Sequence, residues 1–288
     1  MAEKTNEVAV KEKIKQFKTS NDIGYFRLDR IKVADRLTEL VNHPTKFQQG
    51  VLSLCGPAAF FQLLIKRDAL AFVQYATSLY NNGFGEIGNM LVKPGYHLQN
   101  QNYNEKVIQD TLMWMKIKNI QLTEKNKERF ISPPADWMVM SSLRDESNLF
   151  LEYTGTRAEE LAGITLLKNL ESWLEKTSLY QSVIVDASWI KPKGVNHAKS
   201  LTPSNQTDII LFINSRMLNK NPIKSNSMKI NEVLLNHFPN HYVVLTSKIT
   251  ETSGSIKFSC WTWGKVMEYE VPHNVFKANY YGAIVAEV

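Results

Sequence analysis

The feature that most constrains this fold is a change in the pattern of apolar residues near residue 180. Before that point apolar residues recur at helical spacing, as in the segments from Arg27 to Val41 and from Thr156 to Thr177. The sequence therefore predicts an α+β fold, with a helical part over about residues 21–180 and a mostly antiparallel sheet over about residues 181–288. The predicted strands are short β-branched or aromatic runs bounded by Gly, Pro, Asn and Ser, namely QSVIVDASWI, TDIILFINS, HYVVLTSKIT, SIKFSCWTWG, VMEYEVP and YYGAIVAEV.

Capping and helix-breaking residues set further boundaries. Asp68 is placed to cap a helix over ALAFVQYATSLY, which is expected to end at the Asn-Asn-Gly of residues 81–83. Two more helices are expected, over residues 104–118 and after the Ser-Pro-Pro of residues 132–134. The polar stretches 193–207 and 219–229 predict exposed loops.

Residues 1–20 are polar and rich in lysine, which predicts a flexible basic N-terminal arm that is either frayed or a loosely attached helix. They lack the apolar core of a secretory signal, and no apolar run reaches the roughly 18 residues that a membrane span needs. We therefore expect a protein made in the cytoplasm without a signal peptide and with no membrane partner. The net charge is +6, but the basic residues are spread along the chain, so nucleic acid is not the partner that we expect.

The two cysteines are too few for a disulfide framework, so each is weighed as a thiol. Cys55 is followed by Gly56, Pro57 and an uninterrupted apolar run, and Pro is well accepted in a first helical turn. This pattern places Cys55 at the N-terminus of a buried helix, where the helix dipole and the backbone N–H groups stabilise a thiolate. Cys260 lies inside a predicted strand and is expected to be a packed core thiol.

A thiol nucleophile also needs a base and donors for the oxyanion that forms on attack. Gln49, six positions before Cys55, can supply one donor, and the Cys55 backbone N–H another; Gln48 is the alternative if the register is shifted by one. His241, at the head of a predicted strand, is the candidate base, and His237 is its alternative. The other histidines are expected at the surface or in loops: His43, His97, His197 and His273.

The Q-x5-C-G-P-A-A pattern from Gln49 to Ala59 resembles the papain-like cysteine peptidases, especially the bacterial family that removes double-glycine leader peptides from exported substrates. In that family the histidine heads a strand reading H-F/Y-V-V-L, and residues 241–245 read HYVVL. The run from WTWG at 261–264 to YYGA at 280–283 is similar to papain-like toxin domains of bacterial contact-dependent secretion systems. These segments are short, and residues from about 85 to 180 have no counterpart in the resemblance.

The resemblance implies a papain-like fold and a cysteine protease with Cys55 as nucleophile, His241 as general base and acid, and Gln49 in the oxyanion hole. It implies a protein substrate, cleaved after small residues such as glycine. It further implies a toxin made in a bacterial cytoplasm and exported by a contact-dependent apparatus, such as the type VI system, into the cytoplasm of a rival cell. The partners implied are a cognate immunity protein and a component of that apparatus.

The third member of the site is where this sequence departs from the family, which has an Asn or Asp after the histidine strand. Lys257 stands near the usual distance, and aligning WTWG with the family's N-S-W-G puts Trp261 at that position. Thr262, Ser259 or a backbone carbonyl remain as candidates to hydrogen-bond the imidazole. Glu251 is the nearest carboxylate but is expected on a turn.

Three alternatives stay open. The same Cys-His pair can deamidate or transamidate a glutamine side chain, and a non-catalytic binding module is favoured by the missing Asn or Asp. A basic nucleic-acid binder is the last. The sequence has no H-E-x-x-H, paired C-x-x-C, EF-hand loop or phosphate-binding loop, so we expect no metal and no cofactor.

Overall fold

The computed structural model of the chain describes residues 2–148, 153, 155–156, 165–218 and 238–288. It contains both helices and an antiparallel sheet, which confirms the α+β class predicted from the sequence. The chain divides into two compact units, unit 1 (Met1–Ser178) and unit 2 (Leu179–Val288). The predicted loop 219–229, residues 157–164 of the predicted helix that starts at Thr156, and His237 all lie outside the described residues.

Unit 1 is mainly helical in its described part. A short antiparallel hairpin, β1 (Gly85–Ile87) and β2 (Met90–Val92), is absent from the sequence prediction. A 3-10 turn lies at Pro44–Lys46 and a π-helical turn at Asn104–Ile108. The helices are α1 (Ala2–Thr19), α2 (Arg30–Asn42), α3 (Cys55–Arg67), α4 (Ala69–Asn82), α5 (Tyr96–Gln99), α6 (Gln109–Ile117), α7 (Glu124–Phe130), α8 (Pro134–Glu146) and α9 (Leu167–Lys176).

Local capping explains where α2 and α4 begin and end. The Asp29 carboxylate accepts the N–H groups of the first turn of α2, and the Asp68 carboxylate accepts the N–H of Ala71 in α4. Helix α4 ends at Gly83, whose φ of 76° is the left-handed conformation that glycine adopts without a steric cost. These caps bond the backbone groups that a helix end cannot bond by itself.

Helix α3 lies at the centre of unit 1. All ten residues from Gly56 to Ile65 are buried, and α3 packs against α4, α8 and α9. The Phe61 ring stacks on Tyr75 of α4 at 5.6 Å, and Phe60 meets Trp173 of α9 edge to face at 5.9 Å. A helix that is apolar on every side is stable only when other elements surround it.

The N-terminal segment is a helix, one of the two forms expected from the sequence, and it is packed more closely than a loosely attached helix. Residues 2–19 form α1, which packs against α2 and α4. Val10, Ile14 and Phe17 are buried, and Phe17 meets the Tyr80 ring edge to face at 5.1 Å. The lysines of this segment indicate an exposed arm, whereas these three apolar residues lie on one helix face and are buried.

Unit 2 is built on a seven-stranded sheet in which every pair is antiparallel. The strand order is β3-β9-β4-β5-β7-β6, with β8 pairing β7. Each of the six strand-like runs of the sequence contributes at least one strand. The strands are β3 (Ser182–Ala187), β4 (Thr207–Ile213), β5 (His241–Leu245), β6 (Thr250–Thr252), β7 (Ser255–Thr262), β8 (Lys265–Pro272) and β9 (Tyr280–Glu287).

Two short helices cover one face of this sheet. Helix α10 (Val195–Ser200) and helix α11 (His273–Asn279) join a core made with alternate residues of the strands, such as Leu211 and Val243. The prediction of an exposed loop over residues 193–207 is therefore wrong for its first half, because Val195 and Ala198 are buried in this core. The other residues of this short helix are polar, so the sequence shows no clear spacing of apolar residues that would indicate a buried helix face.

Among the described residues, no helix combines the length and the apolar character needed to cross a bilayer.

We predict that Phe17→Ala lowers the free energy of unfolding by about 3 kcal/mol, because it removes a buried ring and leaves a cavity beside Tyr80. Urea denaturation followed by circular dichroism measures the change. The matched control is Val8→Ala in the same helix, which removes a side chain that is 67% exposed and should change stability by less than about 0.5 kcal/mol. Equally small effects of both substitutions would show that α1 contributes little to the folded unit.

Candidate functional site

Cys55 is the first residue of α3, and its side chain is partly exposed. Pro57 has no N–H, and the N–H of Ala58 bonds the Leu54 carbonyl at 2.9 Å. The first N–H groups of a helix have no carbonyl partner within the helix itself, and here they include those of Cys55 and Gly56. The positive end of the helix dipole lies at the same place and favours an anion such as a thiolate.

Cys260 has the opposite setting. It lies within β7 and is fully buried, and burial raises the pKa of its thiol to about 12. A thiol with this pKa stays protonated at neutral pH and is a poor nucleophile. Cys260 is thus the packed core thiol that the sequence predicts.

Gly56 allows another segment to approach the start of α3 closely. A Cβ at this position would lie 2.5 Å from both Cβ and Oγ1 of Thr165, a separation that real Cβ atoms do not show. A side chain at residue 56 would therefore displace either Thr165 or the first turn of the helix. The glycine keeps that turn, and with it Cys55, in place.

The two glutamines before Cys55 have different environments. The Gln48 backbone N–H donates to Asp136 Oδ2 at 2.8 Å, its carbonyl accepts Ser132 Oγ at 2.9 Å, and its side-chain Oε1 accepts the Gly50 N–H at 3.1 Å. Gln49 Nε2 donates to the Leu52 carbonyl at 2.7 Å. An amide nitrogen carries two N–H groups, so Gln49 retains a second donor. Both side chains are mostly buried, with 7% exposure each.

Gly50 fixes the turn of this loop. Its φ is 62°, and a Cβ there would come within 2.6 Å of the Phe130 carbonyl oxygen and the Ser132 nitrogen. The next residue, Val51, donates its N–H to the same Phe130 carbonyl at 3.1 Å. Only glycine combines this backbone conformation with so close an approach.

A buried ion pair lies directly beneath the loop. Asp136 in α8 is fully buried, and the Arg36 guanidinium from α2 donates to both of its oxygens, Nε to Oδ1 at 2.8 Å and Nη2 to Oδ2 at 2.6 Å. Burial raises the pKa of Asp136, while the hydrogen bonds and charge of Arg36 act against that rise. Sequence reasoning missed this pair because its members lie 100 positions apart and no local pattern relates them.

His241 is the first residue of β5 in unit 2, and its side chain is 4% exposed. Its Nε2 lies 2.7 Å from Thr262 Oγ1, and the Trp263 ring stacks on the imidazole at 4.6 Å with an interplanar angle of 17°. Burial lowers the pKa of His241 to about 4, so the imidazole is neutral at neutral pH. A neutral imidazole whose Nε2 is hydrogen-bonded has Nδ1 as its remaining ring nitrogen.

The turn between β7 and β8 sets up both contacts to the imidazole. Thr262 pairs with Lys265, so the hairpin loop has two residues, Trp263 and Gly264. Their φ angles are 47° and 74°, as a type I′ turn requires. The tight turn holds the Thr262 hydroxyl and the Trp263 ring beside His241. The sequence prediction instead had Trp263 inside a strand.

The other sequence-predicted partners of the imidazole lie elsewhere on the sheet. Ser259 is opposite Thr246, beyond the far end of β5, where its carbonyl accepts the Thr246 N–H at 2.9 Å. Lys257 pairs with Glu270 at 3.3 Å, and Glu251 pairs with Lys199 at 2.7 Å. Two side chains were candidates to hydrogen-bond the imidazole. Thr262 contacts His241, and Ser259 does not.

No protein-family model, no curated protein and no solved structure matches this chain.

The interpretation of the site therefore depends on its own residues and geometry. Gln49 and Cys55 lie on one loop-and-helix segment of unit 1, and His241 and Thr262 lie on neighbouring strands of unit 2. The first pair offers a side-chain amide and a thiol, and the second an imidazole hydrogen-bonded to a hydroxyl. Within the described ranges, no group of three or more His, Cys, Asp or Glu side chains is placed to hold a metal ion.

Unit 2 also has an open groove of about 510 Å³ that does not include His241 or Thr262. Its walls carry both charges, and the Lys257–Glu270 ion pair lies within it. The lining of the groove includes neither a cysteine nor a histidine, so it lacks the side chains that thiol chemistry needs. It is lined by Ser247, Lys248, Thr250, Lys257, Phe258, Ser259, Glu268, Tyr269 and Glu270.

A second histidine cluster in unit 2 is structural. His197 of α10 lies 3.0 Å from Asp186 Oδ2 through Nε2 and 2.7 Å from the Tyr280 hydroxyl through Nδ1. Lys193 also pairs with Asp186, and this pairing lowers the pKa of the carboxylate. Tyr280 is fully buried, so its contact with His197 holds α10 against the sheet, while the Asp186 side chain is about half exposed.

We predict a pH dependence of stability that comes from His241. The folded pKa is about 4 against an ordinary value of 6.5, so between these pH values the unfolded chain binds a proton that the folded chain does not. Stability is therefore fully present above about pH 6.5 and falls by roughly 3 kcal/mol as the pH drops to 4. His241→Gln should lack this component.

Urea denaturation of wild type and His241→Gln between pH 7 and pH 4.5 measures the difference in slope. His273→Gln, which replaces a histidine side chain that is 41% exposed, is the matched control and should follow the wild type. Parallel curves for wild type and His241→Gln would contradict the prediction.

Proposed function

We propose that this protein is a papain-like cysteine peptidase in which Cys55 is the nucleophile and His241 is the general base and acid. The observation that carries the proposal is the setting of Cys55, a partly exposed thiol at the first residue of a helix whose next ten residues are buried. A helix of this kind presents its thiol to a positive electrostatic field, which is what an activated cysteine needs.

In the proposed reaction the Cys55 sulfur attacks the carbonyl carbon of a peptide bond while its proton passes to His241 Nδ1. The carbonyl oxygen becomes an oxyanion, held by the Cys55 backbone N–H and the second N–H of Gln49. The C–N bond then breaks, and His241 returns the proton to the leaving amine. Water hydrolyses the resulting thioester and restores the thiol.

Thr262 has the part that an Asn or Asp has in related enzymes. Its hydroxyl is 2.7 Å from His241 Nε2, which favours the ring orientation that leaves Nδ1 for the thiol proton. Trp263 covers one face of the ring and keeps water from it. A hydroxyl carries no charge, so it orients the imidazole with little electrostatic stabilisation of the protonated form.

We further propose that the peptidase is a bacterial toxin effector that acts on a protein in the cytoplasm of a rival cell and is restrained by a cognate immunity protein. Support comes from the resemblance of residues 241–245 and 261–264 to the motifs of leader peptidases and secretion-system toxins. The same resemblance is the basis for expecting small residues before the cleaved bond.

The decisive experiment expresses wild type and Cys55→Ala in a bacterial cytoplasm and maps new protein N-termini by mass spectrometry. We expect growth arrest and new N-termini with wild type and neither with Cys55→Ala. Cys260→Ala is the matched control, since it removes the buried thiol and should leave both effects in place.

Each other outcome selects a different function. Glutamine side chains heavier by about one mass unit, without new N-termini, would assign the same residues to deamidation. Toxicity that survives Cys55→Ala would exclude thiol chemistry and favour a binding module.

We predict that Thr262→Val slows acylation of Cys55 by about tenfold, because the imidazole loses the hydrogen bond that orients it. The burst of p-nitrophenolate released from p-nitrophenyl acetate measures this rate. Thr262→Ser keeps a hydroxyl and should retain most of the activity, and Thr250→Val changes an exposed threonine of the same sheet as a control. A Thr262→Val burst as fast as that of the wild type would exclude Thr262 as the orienting residue.

A further inference from the structure

Gln49 lies in a loop, residues 47–54. At Gln48 in this loop, both the backbone N–H and the backbone carbonyl are hydrogen-bonded to side chains. The N–H of Gln48 donates to Asp136 Oδ2 at 2.8 Å, and the carbonyl of Gln48 accepts Ser132 Oγ at 2.9 Å. Because Gln48 directly precedes Gln49, these two bonds fix the direction in which the Gln49 side chain leaves the backbone.

The stronger of these contacts comes from a group that is costly to bury. Asp136 is fully buried, and a carboxylate in such a place is tolerated only when it is paired and fully hydrogen-bonded. Arg36 supplies two of its hydrogen bonds, at 2.8 and 2.6 Å, and the third comes from the Gln48 N–H. Apolar residues of similar size often stabilise a fold equally well, so an ion pair here invites a role beyond stability.

The pair also connects three separate segments. Arg36 belongs to α2, Asp136 to α8, and the third bond goes to the loop before Cys55. Arg36 is itself held by Glu39 at 2.6 Å and by the Lys46 carbonyl at 2.7 Å. These contacts fix the position of the Asp136 carboxylate, and the hydrogen bond from the Gln48 N–H fixes the loop relative to it.

We propose that Asp136 is a positioning residue for acyl transfer, which holds Gln48 so that the Gln49 amide is aimed at the oxyanion. The inference rests on the proposed function, since it gives Asp136 a role only if Gln49 acts in an oxyanion hole. Asp136 touches neither the substrate nor Cys55 in this scheme and acts only through the loop.

Two reactions of Cys55 separate this role from a merely structural one. Acylation by p-nitrophenyl acetate forms a bond from sulfur to the carbonyl carbon, passes through an oxyanion, and expels p-nitrophenolate. Alkylation by iodoacetamide forms a bond from sulfur to the CH₂ carbon and expels iodide without an oxyanion. Loss of oxyanion positioning therefore slows the first reaction alone, whereas damage to Cys55 or to the fold changes both.

The test compares wild type, Asp136→Asn and Asp35→Asn by both reactions, with circular dichroism to establish folding. We expect Asp136→Asn to acylate at least about tenfold more slowly, while its alkylation rate stays within about twofold of the wild type. Asp35→Asn makes the same change at an exposed carboxylate of α2 that pairs with Lys18 and lies outside this network, so it should leave both rates unchanged. Equal slowing of both reactions by Asp136→Asn, or slowing of neither, would overturn the inference.

Ser132→Ala provides a second route if Asp136→Asn does not fold. It removes the bond to the Gln48 carbonyl without leaving a buried charge, and we expect acylation to slow by about fivefold with alkylation unchanged. No selective loss in this variant would then decide against the inference.

Failure of the proposed function has a different signature. If the proposed function is wrong, the wild type shows no p-nitrophenolate burst that depends on Cys55. The positioning role of Asp136 is then wrong as well. A Cys55-dependent burst that Asp136→Asn leaves intact would refute only the role of Asp136.

Discussion

The burial of α3 is the constraint on which the rest of unit 1 depends. Because ten consecutive residues after Cys55 are covered, the helix cannot shift along its axis without exposing apolar surface at one end. Its first turn must therefore begin at Cys55, although Leu54 offers no side-chain cap. The loop before the helix must therefore adopt a conformation that lets the first turn begin there. Hydrogen bonds from the loop to α8 and to the residues just before α8 stabilise this conformation.

Unit 2 holds its histidine by a different means. A strand cannot aim a side chain along its own axis, because successive residues point to opposite faces. The orientation of the imidazole is therefore set by other groups. The type I′ turn after β7 brings a hydroxyl and an indole ring into contact with it at the start of β5. The imidazole is thus fixed by a neighbouring hairpin, which is why the spacing along the chain gave several candidate partners and geometry gave one.

Much of the fold could be predicted from local pattern, and the failures have physical causes. The start of α3 follows from a Gly-Pro pair before an apolar run, and the strands of unit 2 follow from β-branched runs between breakers. The helical segment α10 was predicted as a loop because six residues carry too little periodicity to reveal a buried face. The close packing of α1 was missed because the three apolar residues that it buries, among many lysines, are a weak signal.

The site shows the same division. Gln49, Cys55 and His241 could be chosen from the sequence because each belongs to a local motif. Thr262 was one of several candidates, since its contact with the imidazole depends on the strand register and on a two-residue turn. Asp136 could not be found at all, because a buried aspartate within a helix has meaning only once Arg36 and the Gln48 N–H are seen beside it.

The two halves of the proposed mechanism then have unequal electrostatic support. His241 is buried, and burial is the cause of its lowered pKa, so no described carboxylate offsets the charge of a protonated ring. In the proposed reaction that charge forms only while a thiolate or an oxyanion is present to stabilise it. Under the proposed mechanism, a weaker orienting group on the histidine side makes the placement of the oxyanion donors more important, and the ion pair beneath the Gln48–Gln49 loop is the group in unit 1 that we propose for this placement.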